Sequence, residues 1–136
     1  MMRVRIDSGI GAESMIETQG LTHIHLAVRD LQRSVTFYGD VFGMEVMERG
    51  DPTAVFMRTP GSVDTLTLRL AAPGEPVGQK GGGVDHFGFR LRDRNDLDAA
   101  VHAVIAAGGR LVDRGEHEPG VRFAYVEDVD GYVIEL

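Results

Sequence analysis

The sequence predicts an α+β domain with two similar halves, each in the order strand, helix, strand, strand, strand. Three observations support this fold class: segments with the alternation typical of strands, two segments with helical periodicity, and an internal repeat. The length of 136 residues suits one ordinary domain. We place this domain at residues 21–136, with halves at 21–71 and 84–136, a connector at 72–83 and an N-terminal extension at 1–20.

The first half is predicted to begin with a strand and a capped helix. Alternation along residues 21–28 places His23 and His25 on the same face of the strand. Asp30 is suited to cap the following helix, whose apolar residues recur at helical spacing, and Gly43 is suited to end it. Turn residues then separate three further predicted strands, at 44–48, 54–58 and 65–70.

The second half is predicted to repeat this order after the connector, which is rich in glycine and proline. A strand is predicted at 84–91. The helix after it can be capped by Asp93, Asn95 or Asp96, and a pair of glycines closes it. Three final strands are predicted at 111–114, 123–127 and 132–136.

An offset of 63 residues relates the two halves, because it aligns His23 with His86. The same offset aligns Leu26 with Phe89, Val28 with Leu91 and Asp30 with Asp93. Helix caps and apolar alternation often coincide by chance, whereas a histidine at the same point of both halves is less easily dismissed. If the halves pack about a pseudo-twofold axis, these two histidines converge.

Three strand residues are candidate metal ligands: His23, His86 and Glu135. Two imidazoles and one carboxylate on neighbouring strands would occupy one side of a divalent cation and leave positions for substrate, water or oxygen. Such a ligand set accepts Fe, Mn, Co, Ni or Zn. Taken singly, each residue has an ordinary alternative, either a hydrogen-bonded core or rim histidine or a solvated carboxylate.

The remaining histidines carry weaker patterns. His25 points the same way as His23, so it is an alternative ligand, a substrate contact or a general base. His102 on the second helix and His117 in a predicted hairpin are predicted to be surface residues. The glycine run at 81–83 precedes a strand rather than a helix, so we interpret it as a connector and not as a phosphate loop.

Composition narrows the classes of partner. The formal net charge is −7 with both signs interspersed, so phosphate backbones and anionic lipids are poor partners. The absence of cysteine excludes thiol nucleophiles, thiolate metal sites and disulfides. No apolar run approaches the roughly 20 residues that a membrane span requires. We therefore expect a cytoplasmic protein that acts on a small molecule, without nucleic acid or membrane partners.

Three segments resemble the vicinal oxygen chelate superfamily, which includes glyoxalase I, extradiol dioxygenases and the fosfomycin- and bleomycin-resistance proteins. The opening module of that superfamily is similar to residues 23–46, HIHLAVRDLQRSVTFYGDVFGMEV, and its second opening is similar to residues 84–91, VDHFGFRL. Its closing signature, Asp-Pro-Asp-Gly-x-x-x-Glu-Leu, is similar to residues 126–136, VEDVDGYVIEL, with Val129 in place of proline. The resemblance covers residues 21–136.

The resemblance implies paired βαβββ modules whose mixed sheets curl into a cup around a divalent metal ion. It places the ligands at His23, His86 and Glu135, the residues that the strand faces and the repeat also select. It further implies a homodimer. Whether the cup closes within one chain or across two subunits stays open.

One departure from the superfamily bears on the reaction. Enzymes similar to glyoxalase I have a fourth ligand, a glutamate, on the last strand of the first module, where this chain has Thr67 or Arg69. An inward-facing Arg69 would instead meet an anionic substrate group, and an outward-facing one would lie at the sheet rim. In an enzyme similar to extradiol dioxygenases, His25 would serve as acid or base. Tyr125 matches a tyrosine position of the fosfomycin-modifying branch.

These observations predict a small enzyme that chelates vicinal oxygens of an organic substrate at a divalent metal ion. The reaction is either of the lyase or isomerase type or an extradiol-type dioxygenation, with His25, Arg69 and Tyr125 as further cavity residues. The alternatives are a fosfomycin-modifying enzyme and a non-catalytic protein that sequesters a ligand, as bleomycin-resistance proteins do. An interaction module without a small-molecule site is a further alternative that no motif supports.

Overall fold

The computed structural model describes residues 16–49 and 51–136, so most of the predicted N-terminal extension lies outside the described residues. The first half forms a four-stranded mixed sheet with one helix. Its elements are β1 (His23–Val28), α1 (Leu31–Phe42), β2 (Glu45–Arg49), β3 (Ala54–Arg58) and β4 (Thr65–Leu70). The sheet order is β1-β4-β3-β2, with β1 parallel to β4 and the other pairs antiparallel. As predicted, Asp30 caps α1 by accepting a hydrogen bond from Arg33 N, and Gly43 ends the helix at φ 66°.

The second half repeats this architecture. Its elements are β5 (Phe87–Gly88), α2 (Leu97–Ala106), β6 (Arg110–Glu118), β7 (Val121–Glu127) and β8 (Val133–Glu135). The sheet order β5-β8-β7-β6 corresponds strand by strand to that of the first half, again with one parallel pair, β5 and β8. The predicted α+β fold class, with two halves in the order strand, helix, three strands, is therefore confirmed.

Two strands of the second half differ in length from the prediction. The strand expected at 84–91 is reduced to Phe87–Gly88, because β5 pairs only with the three-residue β8. The strand expected at 111–114 extends to Glu118, because β6 and β7 form one long hairpin through register shifts near residues 112 and 117. The charged residues of β6 gave no apolar alternation from which this length could be read.

The two halves share one hydrophobic core. Helix α1 contacts β3 and β4, helix α2 contacts β6 and β7, and the helices contact each other. Each sheet therefore covers the helices with one face and leaves its other face free of helix. The strand residues that are buried towards the helices include Leu26, Val28, Leu66, Leu68, Ala124, Val126 and Ile134. No helix in residues 16–49 and 51–136 combines the length and apolar character needed to cross a membrane.

The turn at residues 128–132, here called the closing turn, joins the two halves through a buried hydrogen bond. The Tyr38 hydroxyl on α1 donates to Asp128 Oδ2 at 2.6 Å, and Asp128 Oδ1 accepts from the backbone N–H groups of Asp130 and Tyr132. Burial raises the pKa of Asp128, against the hydrogen bonds from Tyr38 and the backbone, which lower it. Burial and the charge of Asp128 raise the pKa of Tyr38, so the phenol keeps its proton and remains a donor.

Asp130 forms a second set of contacts between the closing turn and the first half. Its side chain is fully buried and accepts hydrogen bonds from Arg29 N, the Arg33 guanidinium and the Ser34 hydroxyl, each at 3.1 Å. The Tyr132 hydroxyl adds a hydrogen bond to the carbonyl of Ala27 in β1 at 2.7 Å. Both aspartates of the closing signature therefore hold the two halves together.

The connector is fixed to β4 by an ion pair that also involves a predicted site residue. The Arg69 guanidinium donates to both carboxylate oxygens of Glu75, at 2.8 and 2.5 Å. The hydrogen bond from Arg69 is the largest cause that lowers the pKa of Glu75, from 4.5 to about 2. At the other end of the connector, Gly78 at φ 74° packs so close to Asp130 that a Cβ would lie 2.4 Å from its carbonyl oxygen.

We predict that Tyr38→Phe lowers the free energy of unfolding by about 1–3 kcal/mol, because buried Asp128 loses its side-chain donor. Urea denaturation followed by circular dichroism measures this change. Tyr125→Phe is the matched control, since Tyr125 lies outside the closing turn, and it should change stability by less than about 0.5 kcal/mol. Equal unfolding free energies for the wild type and Tyr38→Phe would contradict the role of this hydrogen bond.

We predict that Arg69→Gln raises the pKa of Glu75 from about 2 towards 4.5, its ordinary value. Because the folded-state pKa is lowered, the pair stabilises the fold above pH 4.5, and this contribution is lost as the pH falls through about 2. Carbon-13 NMR of the glutamate carboxyl groups measures the titration. Arg58→Gln, which removes the exposed ion pair with Glu45, should leave Glu75 unchanged. An ordinary Glu75 pKa in the wild type would exclude the ion pair.

Candidate functional site

Glu135 lies on the helix-free face of the second sheet. In β7, Ala124 and Val126 are buried towards the helices, so Tyr125 between them points to the opposite face. Glu135 in β8 pairs directly with Tyr125 and therefore shares that face. Two predicted site residues, Tyr125 and Glu135, therefore lie on this face.

His86 and Glu135, two of the three predicted ligands, lie next to each other. The distance from His86 Nε2 to Glu135 Oε1 is 3.4 Å, and both side chains are partly exposed. The other ring nitrogen, Nδ1, lies 2.7 Å from Asp85 Oδ2. A histidine that donates from Nδ1 to a carboxylate presents the lone pair of Nε2, which is the arrangement that surrounds many metal-bound histidines.

The spacing of these two atoms suits a shared cation. When the Nδ1–H group of His86 donates to the Asp85 carboxylate, the two facing atoms, His86 Nε2 and Glu135 Oε1, are both acceptors. Two ligands that each lie about 2.1 Å from one ion are about 3.4 Å apart at a tetrahedral angle. The donor set of an imidazole and a carboxylate, supported by a second carboxylate, therefore fits a divalent metal ion.

His117 also contacts Glu135, which the sequence did not indicate. Its Nε2 lies 2.7 Å from Glu135 Oε2, and its ring stacks on Phe123 with centroids 4.3 Å apart and planes 22° from parallel. The side chain is 51% exposed, so its predicted surface position is right, but its proximity to Glu135 was missed. The two carboxylate oxygens of Glu135 thus each face a different imidazole.

Tyr125 belongs to the same cluster. Its ring meets the edge of His86 with centroids 5.1 Å apart and packs against Phe123 at 5.3 Å. Desolvation, followed by the charge of Glu135, raises the pKa of the Tyr125 phenol. The hydroxyl therefore stays protonated at neutral pH, which suits a proton or hydrogen-bond donor beside Glu135.

His23 lies on the other sheet and does not join this cluster within one chain. Its Nδ1 lies 2.7 Å from Thr22 Oγ1, and the residue is exposed at the start of β1. His25 shares its face and is also exposed. In the described residues, no group of three or more His, Asp or Glu side chains is placed to hold a metal ion.

A groove of about 530 Å³ extends from His23 to the β5 region of the second half. Its lining is mainly apolar, with several hydroxyl groups and the charged residues Asp64 and Arg90. Its apolar lining residues are Leu21, Ile24, Met44, Leu66, Phe87 and Phe89. The groove is lined by His23 but not by His86 or Glu135, although it reaches Phe87 and Gly88, next to His86.

No carboxylate occupies the β4 position that corresponds to the fourth ligand of enzymes similar to glyoxalase I. Thr67 is only 3% exposed and pairs with His25. The Arg69 guanidinium is bonded to Glu75, so a contact with an anionic substrate group would require this pair to separate. Within one chain, the cluster in the second half therefore contains Glu135 between His86 and His117, with Tyr125 beside them.

Comparison with known proteins yields several related enzymes. A probable lactoylglutathione lyase of Vibrio parahaemolyticus is 30% identical over 127 residues, covering 85% of this chain and 88% of the relative. Catechol-2,3-dioxygenase of Bacillus subtilis is 29% identical over 125 residues, covering 90% of this chain and 42% of the relative.

Solved structures share the fold. A glyoxalase-related enzyme from Fulvimarina pelagi has a TM-score of 0.68 at 25% identity and covers 87% of this chain and 86% of its own. The fosfomycin resistance protein FosX from Listeria monocytogenes has a TM-score of 0.69 at 22% identity, covers 90% of this chain and 93% of its own, and supports the fold alone. The family model for the Glyoxalase/Bleomycin resistance protein/Dioxygenase superfamily matches residues 20–136. The chain belongs to this superfamily, as its resemblance to vicinal oxygen chelate proteins predicted.

Proposed function

We propose that the protein is a divalent-metal-dependent enzyme that binds two vicinal oxygens of a small organic substrate. The ion would be held by His23, His86 and Glu135. The observation that carries this proposal is the 3.4 Å distance between His86 Nε2 and Glu135 Oε1, with the other ring nitrogen of His86 2.7 Å from Asp85 Oδ2. Superfamily membership and relatives that carry the names of a lyase and a dioxygenase support an enzymatic role.

The third ligand would come from a second copy of the chain. Within one chain, His23 lies on the first sheet, whereas His86 and Glu135 lie at the second sheet and face each other there. The edge strands β1 and β5 are open to pairing or packing with another molecule. Near His23, Leu21 and Val63 are 96% and 94% exposed, which suits a surface covered by a partner. In this homodimer, each site would combine His86 and Glu135 of one subunit with His23 of the partner subunit.

A bound divalent ion would supply a Lewis acid that polarises the substrate oxygens. The chain itself would supply the proton donors and acceptors. Tyr125, with its raised pKa, would donate a hydrogen bond beside Glu135. His25, on the same face as His23, would serve as general acid or base. Thr67 and Arg69 supply no carboxylate in β4. In our proposal, Tyr125 and His25 therefore carry out the proton transfer.

Three protein ligands leave more open positions on an ion than four do, so both substrate oxygens and a further small molecule can bind. This arrangement favours extradiol-type cleavage of a catechol, for which the relative from Bacillus subtilis is named. A lyase or isomerase reaction is the alternative within the same site, as in the relative named lactoylglutathione lyase. Anaerobic purification with Fe(II), followed by assays with catechols, α-keto hemithioacetals and epoxides, separates these reactions from a fosfomycin-type opening of an epoxide.

A second candidate function is sequestration of an apolar ligand without chemistry. The mainly apolar groove of about 530 Å³ beside His23 favours it, because such a groove can bind a small molecule by burial alone. Metal content separates the two candidates. Stoichiometric divalent ion supports the enzyme, whereas ligand binding that is unaffected by a chelator, in a protein without such an ion, supports sequestration.

We predict that the wild type binds one Co²⁺ ion per chain and that Glu135→Gln or His86→Ala weakens binding by more than about 100-fold, because each change removes a direct ligand. Isothermal titration calorimetry with a competing chelator measures the affinity. His102→Ala is the matched control, since His102 is an exposed histidine of α2 outside the cluster. Wild-type affinity in His86→Ala would exclude the proposed site.

The subunit arrangement is tested by mixing two inactive variants. His23→Ala and Glu135→Gln would each fail to bind Co²⁺ tightly as homodimers. Refolding them together in equal amounts should restore about one quarter of the wild-type sites, because half of the dimers are mixed and each mixed dimer has one intact site. A sedimentation experiment verifies the dimer. If the mixture binds no more ion than the separate variants, the site does not form across subunits.

A further inference from the structure

We infer that His117 is a positioning residue that orients Glu135 in the metal site. The inference rests on the proposed function, because it assigns to Glu135 the role of a ligand. It adds a residue from the β6–β7 hairpin to a site that otherwise uses β1, β5 and β8. His117 would not touch the ion or the substrate, but would act through Glu135.

The carboxylate of Glu135 has two different neighbours. Oε2 lies 2.7 Å from His117 Nε2, a hydrogen-bond distance, whereas Oε1 lies 3.4 Å from His86 Nε2. When His117 donates from Nε2, it occupies one oxygen and leaves the other directed at His86. The two oxygens therefore have different roles: Oε2 is bonded to His117, and Oε1 is available to a cation.

The backbone of β6 explains how His117 reaches Glu135. A register shift between Glu116 and Glu118 leaves His117 without a paired residue in β7, as in a β-bulge. Gly115 pairs with Phe123, so alternation from Gly115 places His117 on the face that carries Phe123, Tyr125 and Glu135. The shift lies at the end of the hairpin, and bulges are frequent beside active sites.

Phe123 holds the imidazole of His117 in place. The two rings stack with centroids 4.3 Å apart, and Phe123 in turn packs on Tyr125. Phe123 lies over Gly115, its partner in β6, where a Cβ would be 3.2 Å from the ring. Glycine at residue 115 therefore leaves the space in which the aromatic ring and His117 stack.

Fixing Glu135 should matter for metal affinity because β8 is short. Glu135 is the last residue of a three-residue strand, and its side chain is partly exposed. A free carboxylate at such a position loses rotational freedom when it binds an ion, whereas one already held by His117 loses less. Hydrogen-bond partners of metal ligands typically contribute about 10–100-fold to affinity.

We therefore expect His117→Ala to weaken Co²⁺ binding by about 10–100-fold, and His117→Gln to restore most of the loss, since the glutamine amide can donate from a similar position. Calorimetry with a competing chelator measures both variants, with His102→Ala as the control. Unchanged affinity in His117→Ala would overturn the inference, and so would a His117→Gln variant as weak as His117→Ala. A loss as complete as that of Glu135→Gln would make His117 a ligand and would also overturn the positioning role.

A second measurement examines the metal-free protein. Long-range nitrogen-15 NMR of the imidazole should show the proton of His117 on Nε2, and Glu135→Gln should change that signal. A proton on Nδ1 in the wild type would overturn the inference. Failure of the wild type to bind Co²⁺ would refute the proposed function, whereas normal binding by the wild type and by His117→Ala would refute only the role of His117.

Discussion

The buried contact between the closing turn and helix α1 determines where every site residue lies. The hydroxyl of Tyr38 bonds to Asp128, and the fully buried Asp130 accepts three hydrogen bonds from the first half. These bonds fix the second sheet against the helix of the first, so the two helices share one core. The helix-free face of the first sheet carries His23, and that of the second sheet carries Glu135.

Much of the fold follows from local patterns and could be predicted. Alternation in β1 placed His23 and His25 on one face, and Asp30 and Gly43 act as helix signals through their own backbone and side-chain chemistry. The repeat and the family resemblance led us to expect His86 near Glu135, and in the structure β5 and β8 are parallel neighbours. Such features depend on residues within one half of the repeat.

The features that could not be predicted depend on contacts between distant residues. The position of His117 depends on the extension of β6 to Glu118, in a charged strand without apolar alternation. The Arg69–Glu75 pair joins strand β4 to the connector, and the glycine- and proline-rich composition of the connector does not indicate which of its residues contacts the strand. His23 and His86 lie at different sheets and contact different neighbours, Thr22 and Asp85. The repeat indicated that these histidines are equivalent, but equivalence does not decide whether they meet inside one chain.

The closing signature therefore has two physical functions within eight residues, 128–135. Asp128 and Asp130 are buried and bonded to the first half, whereas Glu135 is partly exposed and directed to the helix-free face. Strand β8 connects them, with Val133 and Ile134 packed in the core. Because the side chain of Glu135 is placed by a strand whose preceding turn is fixed to helix α1, its position depends on the packing of both halves. Asp128 and Asp130, which stabilise the fold, thus also help to fix the position of Glu135, the proposed metal ligand.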